Sequence, residues 1–304
     1  MSEQPEKKYV KEWSFSFEKL SEQIGEFVKS VGVSAEEAIK QGQFSAPLEG
    51  AESARVRLDL SVGETMIAPL TDSENLIEAD LTYVGEIHFT AESAPDAPSV
   101  RVVSLSQAAG ASDWFRSFFG WIGSRKTLKW DIQLSPNVPM DLDIRAGVGE
   151  SRIDLGALRV TALHLSGGTG EIDVTLPATD GCAATISGGV GETRFTIPDG
   201  ANIDLTLRVG TGESDIFFGE NVNVTAEISG GIGECKLHIP EGAAARIEAK
   251  LGIGGARVPA RFARLGGSDA GIGSHGVWQT VNYDAAERKI NVKFTGGIGE
   301  LKVK

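Results

Sequence analysis

From Glu150 onward the chain alternates apolar and polar residues, and the alternation restarts at a fixed interval. Three places after Glu150, Glu171, Glu192, Glu213 and Glu234 stand Ile153, Val174, Phe195, Ile216 and Leu237. Five places after them stand Leu155, Leu176, Ile197, Phe218 and Ile239. Such a period of two predicts a strand buried on one face. Turn signals follow at Pro177, Pro198 and Pro240 and at Asp180-Gly181, Asp199-Gly200 and Glu241-Gly242. A second run then turns Leu163, Ala184, Leu205, Ala226 and Ile247 inward, with Leu165, Ile186, Leu207, Ile228 and Ala249 two residues on. Each unit closes on Gly-x-Gly-Glu, at 147–150, 168–171, 189–192, 210–213 and 231–234, each copy 21 residues after the last. Gly252-Ile253-Gly254-Gly255 keeps the spacing without the acid, and Gly297-Ile298-Gly299-Glu300 recurs out of phase.

Two strands and two bends in so short a unit leave no room for a helical repeat, and a constant period means stacked units. The predicted fold is all-β: a parallel β-solenoid, a single-chain β-helix of two-strand coils whose equivalent residues lie about 4.8 Å apart along the stack. Glycine is needed where the backbone bends with positive φ, or where coils approach with no room for a Cβ. On the outer face, the residue two after each Glu reads Arg152, Asp173, Arg194, Asp215, Lys236 and then Arg257, with Asp131 one unit earlier. Opposite charges on adjacent strands contribute about 0.2–1 kcal/mol each, so this ladder predicts control of register. The glutamates Glu150, Glu171, Glu192, Glu213 and Glu234 would stack as like charges. They are expected to accept hydrogen bonds from the N–H groups of their own turns, and the alternative is a cation held between neighbouring carboxylates. Cys182 and Cys235 fall about three coils apart, roughly 14 Å, beyond the reach of a disulfide, and are expected to be buried free thiols.

The ends of the chain differ from its middle. Ser61-Val62-Gly63-Glu64 and Tyr83-Val84-Gly85-Glu86 echo the motif, so an irregular β region is expected over residues 46–125 and the regular repeat with closing strands over 126–304. Residues 1–45 read as an α-helical segment. Val10, Trp13, Phe17, Leu20, Ile24, Phe27 and Val31, spaced alternately by three and four, form a heptad seam. Ser34-Ala35-Glu36-Glu37 fits a capping box for a short following helix to about Gln41. The seam is expected either to pack on the solenoid and cover one end or to self-associate. Residues 113–126 gather Trp114, Phe115, Phe118, Phe119 and Trp121 beside basic residues. Such a cluster is either tucked under the β edge or presented to a partner or a bilayer interface. The seam together with Trp114, Phe118, Phe119 and Trp121 supplies the candidate partner-binding residues.

Charge and chemistry narrow the function. A formal net charge of −13 disfavours nucleic acid, whose affinity comes from Lys and Arg on phosphates, and broad docking on anionic lipid. The first residues hold no apolar run of signal type, and no stretch is long enough to span a bilayer. The expectation is a cytoplasmic protein, peripheral at the inner face of the membrane if it meets one. No Walker lysine follows the Gly-x-Gly runs. His88, His164, His238 and His275 fall in unrelated registers, so no metal triad can be drawn. No cofactor and no enzymatic activity are expected.

The stretch from Trp130-Asp131-Ile132 to Asp143-Ile144, running into Gly147-Val148-Gly149-Glu150 and Ile153-Asp154-Leu155, resembles the bacterial toastrack family. Asn282-Tyr283-Asp284, Lys289-Ile290 and Gly296-Gly297-Ile298-Gly299 fit the same family, over a span from about Ala54 to Lys304. The family is similar to the C-terminal domain of LiaF-type cell-envelope stress proteins and to adhesin β-helix repeats. The resemblance implies a non-enzymatic β-helical platform, often attached to membrane segments and linked to envelope-stress sensing, with no catalytic residues to carry over. Two readings follow. One is a scaffold or protein-interaction platform that recruits a partner or a second copy; the other is an adhesin-like protein that binds a glycan or another ligand.

Overall fold

The computed structural model describes residues 39–108, 128–268 and 272–304, and the alternating segments are strands throughout it. In chain order these are β1 (Ile39–Pro47), β2 (Ser53–Asp59), β3 (Glu64–Pro69), β4 (Asn75–Val84), β5 (Glu86–Ala94), β6 (Ala97–Ala108) and β7 (Lys129–Leu134). The repeats supply β8 (Met140–Arg145), β9 (Ser151–Asp154), β10 (Val160–Ser166), β11 (Thr169–Thr175), β12 (Asp180–Ser187), β13 (Val190–Ile197), β14 (Asn202–Arg208), β15 (Thr211–Phe218), β16 (Asn223–Ser229) and β17 (Ile232–His238). The chain closes with β18 (Ala245–Arg257), β19 (Phe262–Ser268), β20 (Ile272–Thr280) and β21 (Ile290–Val303).

Within the repeats the register is the one the spacing dictates. Strands β9, β11, β13, β15 and β17 pair in parallel, with Glu171 opposite Glu192, Glu192 opposite Glu213, and Glu213 opposite Glu234. Strands β8, β10, β12, β14 and β16 form the second series, with Leu163, Ala184, Leu205 and Ala226 abreast. Every inward residue named above for the two series is buried, and one apolar cluster runs from Ala46 to Val303. Phe195, 2% exposed, is typical; a side chain buried so fully contributes about 1.5–3 kcal/mol. Cys182 and Cys235 are free and buried, and burial pushes their thiols up to about 11 and about 12.

The expectation of a purely parallel solenoid preceded by a helical segment is overturned. All 21 strands join one mixed sheet that wraps the core and nearly closes into a barrel. Pairs β1–β4, β4–β7 and β5–β6 are antiparallel at one end, as are β18–β20 and β19–β20 at the other. A stack of parallel strands ends in a row of unpaired N–H and C=O groups, and a strand folding back covers that row. No helix occurs among the described residues. Residues 39–45, expected to end the helical segment, belong to β1, where Gly42 and Pro47 disfavour a helix and Ala46 turns into the core. Residues 1–38, with the seam from Val10 to Val31, and residues 109–127, with Trp114, Phe118, Phe119 and Trp121, lie outside the described residues.

Stacking order also departs from chain order at both ends. Strand β3 lies between β7 and β9, so Met66 faces both Asp131 and Arg152 and keeps these expected neighbours apart. Strand β2 likewise lies between β6 and β8. At the far end β21 is inserted between the β16–β17 coil and β18, setting Lys302 between Lys236 and Arg257. The Gly-x-Gly copy at 297–299 is therefore out of phase in sequence and in phase in space.

The two glycines of each corner serve different ends. At Gly191 φ is +135°, a conformation that residues with a Cβ rarely adopt. At Gly189 φ is ordinary, but a Cβ would overlap the Gly168 carbonyl oxygen of the preceding coil.

A charged face, its groove and its apolar corner

The outward residues of the β9–β17 series form two columns. In the first, Glu171, Glu192, Glu213 and Glu234 lie abreast, and the insertion of β21 adds Glu300 beside Glu234. In the second, Arg152, Asp173, Arg194, Asp215 and Lys236 alternate in sign as expected. Arg194 lies 3.7 Å from Asp173, and Lys236 3.7 Å from Asp215. Beyond Lys236 the alternation ends, because Lys302 and Arg257 follow it.

The glutamates are not held by their own turns. The N–H groups there donate to backbone of the neighbouring coil, Val190 to Gly168 and Thr211 to Gly189, each at 3.1 Å. Compensation comes instead from the basic run. Lys236 Nζ lies 2.9 Å from Glu213 and 3.2 Å from Glu234, Lys302 pairs with Glu234 and Glu300, and Arg257 pairs with Glu300. At this end of the column Glu213, Glu234 and Glu300 each have a base beside them, so like charges can share it. The hydrogen bond to Glu213, then that to Glu234, raises the Lys236 ammonium above its usual value. Donation from Lys302, helped by Lys236, holds Glu234 below the ordinary carboxylate value.

Two expected results follow from this node. Lys236→Glu, which adds a fourth carboxylate where Glu213, Asp215 and Glu234 converge, should destabilise by about 1–2 kcal/mol. Asp173→Lys, in an exposed pair, should cost about 0.5 kcal/mol or less. Denaturant titrations of the two variants should show that gap, narrowing in high salt. The second result concerns pH. The contribution of a lowered Glu234 is complete above its unfolded value near 4.5 and is lost as pH falls through the folded value. That of a raised Lys236 is complete below 10.5 and is lost as pH rises through its folded value. Both contributions are intact between those limits, so the melting midpoint should first fall below pH 4.5 on the acid side, and Lys236→Met should blunt that fall.

His238 Nε2 lies 2.6 Å from Asp215 Oδ1, and its ring stacks on Phe217 with centroids 4.0 Å apart. An acid–histidine pair invites a nucleophile, but consecutive strand residues point to opposite faces. Ser214, 2% exposed, is turned inward and bonded to the Thr193 hydroxyl at 2.6 Å; Cys235 is turned inward too. Neither can meet His238 on the outer face.

At the middle of the face, Glu150, Glu171, Glu192, Glu213, Asp173 and Asp215, with Arg152 and Arg194, line a shallow groove of about 160 Å³. Six carboxylates against two guanidiniums leave it acidic. Among the described residues Glu171 and Glu192 make no ion pair, and no group of three or more His, Cys, Asp or Glu is placed to hold a metal ion. A second, more open groove lies at the β1–β4–β7 end, lined in part by Gln43, Asn75, Glu78, Asp80, Asp131 and Gln133. There Ser73 (2.6 Å) and Asn75 (2.8 Å) hydrogen-bond Glu78 and lower its pKa, while Asp131 pairs with Lys129 at 2.9 Å.

A third outward row runs along the Gly-x-Gly corners, where the sequence alone suggests only turns. The middle residues of the Gly-x-Gly corners lie abreast: Val148, Thr169, Val190, Thr211, Ile232, Ile298 and Ile253. Val190, Ile232, Ile298 and Ile253 are each more than half exposed. The signal was available, since the middle residue is β-branched in every copy. No helix among the described residues is long and apolar enough to cross a membrane.

The family described as the N-terminal domain of toast_rack, DUF2154, matches residues 34–196. That span starts earlier than the resemblance read from the motifs and ends within the repeats. No curated protein matches the chain. Among solved structures, a candidate cell adhesion protein from Clostridium sporogenes is 17% identical with a TM-score of 0.41, covering 88% of this chain and 99% of that one. A candidate adhesin from Bacteroides fragilis is 11% identical with a TM-score of 0.36, covering 90% and 100%.

Proposed function

Because the chain belongs to the family of the toast_rack N-terminal domain, we propose that it is a non-catalytic binding platform that recognises a partner across its ordered outer face. The observation that carries this reading is how the outward ionisable groups are used. They are matched from strand to strand, as Arg194 to Asp173 and Lys236 to Glu213 and Asp215, and do not converge on a nucleophile. Glu171 and Glu192 remain uncommitted on a regular acidic strip, which suits a partner with spaced basic groups. The likeness of the motifs to LiaF-type proteins supports a place in the response to cell-envelope stress. An adhesin-like role in binding glycans is the second reading, favoured by the open groove whose Gln43, Asn75 and Gln133 amides can bond hydroxyls.

Purified full chain, presented with isolated envelope fragments, should bind saturably without turning over chromogenic glycosides, esters or phosphates. Glu171→Lys with Glu192→Lys should weaken binding about tenfold or more, equivalent to about 1.4 kcal/mol, with melting unchanged. Binding that survives this change but is lost on Gln43→Ala with Gln133→Ala would favour the second groove. Turnover that disappears in Asp215→Asn or His238→Gln would overturn the non-catalytic reading.

A further inference from the structure

The apolar corner row goes beyond the charged face. Its seven members, at about 4.8 Å per strand, form a ridge about 29 Å long. The position tolerates polar residues, since Thr169 and Thr211 occupy it. Yet Val190 is 57% exposed, Ile232 56%, Ile253 55% and Ile298 51%. Folding of the corner does not require apolar side chains there, yet Ile232, Ile298 and Ile253 adjoin one another with Val190 two strands away, and such exposed apolar side chains gathered on one edge mark a contact surface.

Area decides between occupants. The four side chains present on the order of 300–400 Å², and two such ridges face to face reach about half of the roughly 1,600 Å² of a standard interface. A second copy held by the ridge alone would not form a stable dimer. A segment tethered to the same fold needs far less area, because its effective concentration is on the order of millimolar. This chain has such a segment. Trp13, Phe17, Leu20, Ile24 and Phe27 form an apolar seam in the sequence, and the chain enters the described fold at Ile39. Ile39 packs on the small cluster of Val62, Val84 and Leu128, and so does Val148, the head of the ridge. The eight-residue step from Val31 to Ile39 spans at most about 28 Å, a reach that matches the length of the ridge. We propose that the N-terminal segment, residues 10–31, seats its apolar seam on the Gly-x-Gly ridge of the same molecule.

Alkylation tests this in the full chain. The native cysteines are buried and will not compete. Ile232→Cys should react with a maleimide about tenfold or more slowly than it does in a chain that also carries Phe17→Glu, Leu20→Glu and Ile24→Glu, because reaction must await local opening. The ratio should not depend on protein concentration. Thr225→Cys, exposed on the other series of strands, should react equally in both backgrounds. Ile253→Cys repeats the measurement should the first variant fold poorly. Equal rates at both ridge positions would overturn the proposal. Protection that grows with protein concentration would overturn it in favour of a second copy.

Discussion

Gly212→Ala is expected to cost on the order of 3–5 kcal/mol, a large part of the stability of an ordinary domain. Gly212 has φ of +137°, and a Cβ built there would overlap the Gly191 carbonyl oxygen of the preceding coil. Neither problem can be relieved locally. Correcting φ would tear the corner, and moving the carbonyl would shift a coil that itself stacks on Gly170. Gly255 is the control. It occupies the place of the missing glutamate in the sixth copy, has an ordinary φ, and a Cβ there would meet nothing within 4 Å. Gly255→Ala should be neutral or slightly stabilising, by up to about 1 kcal/mol, because alanine has less freedom to lose on folding. Thermal and denaturant melts of the two variants give the comparison directly. A mild Gly212→Ala would mean that the coils are not in contact at the corner.

Removing residues 290–304 should have a larger effect still. Among the described strands β21 is the only partner joining β18 to the body of the sheet, because β16 and β17 pair with β21 on one side and β18 pairs with it on the other. Ile290, Val292, Phe294, Leu301 and Val303 are all buried in the shared core. Without them, β18 to β20 would keep only their mutual antiparallel pairs, and a sheet of that size with one face uncovered is marginal in water. The truncated chain should expose residues 245–280 to rapid proteolysis and aggregate through the bared edges of β16 and β17. Limited proteolysis with mass spectrometry reads this out; a soluble truncation cut no faster than the full chain would contradict it.

How much of this was legible follows from what each pattern can encode. Period two specifies which side chains face inward, and the fixed spacing specifies which residues share a row. Phe195 beside Ile216 and Asp173 beside Arg194 are both present. Alternation does not encode strand direction, so the antiparallel ends at β4 and β20 looked like any other strands. Nor does it encode order along the stack. A coil with Gly-x-Gly and two inward residues fits against any other such coil, which is why the insertions of β3 and β21 could not be read. The ridge was missed for another reason: its residues stand between glycines and read as turn, although their β-branched identity in every copy marked them. The bonding of the glutamates was misjudged because Lys236 reaches across to Glu213 as well as to its own Glu234, and a second base on Glu234, Lys302, arrives through the inserted strand.

The central claim is that stacking order, not chain order, assembles this face, and a pair of engineered disulfides tests it directly. Glu227 and Glu248 lie 21 residues apart and would be neighbours in a simple succession of coils, but Lys293 of β21 stands between them and pairs with each. Direct neighbours are about 4.8 Å apart and next-but-one strands about 9.6 Å, on either side of the roughly 7 Å limit for a disulfide. Under mild oxidation, Glu227→Cys with Lys293→Cys should cross-link within one molecule, and Glu227→Cys with Glu248→Cys should not. An efficient intramolecular cross-link between 227 and 248, with none between 227 and 293, would contradict the account.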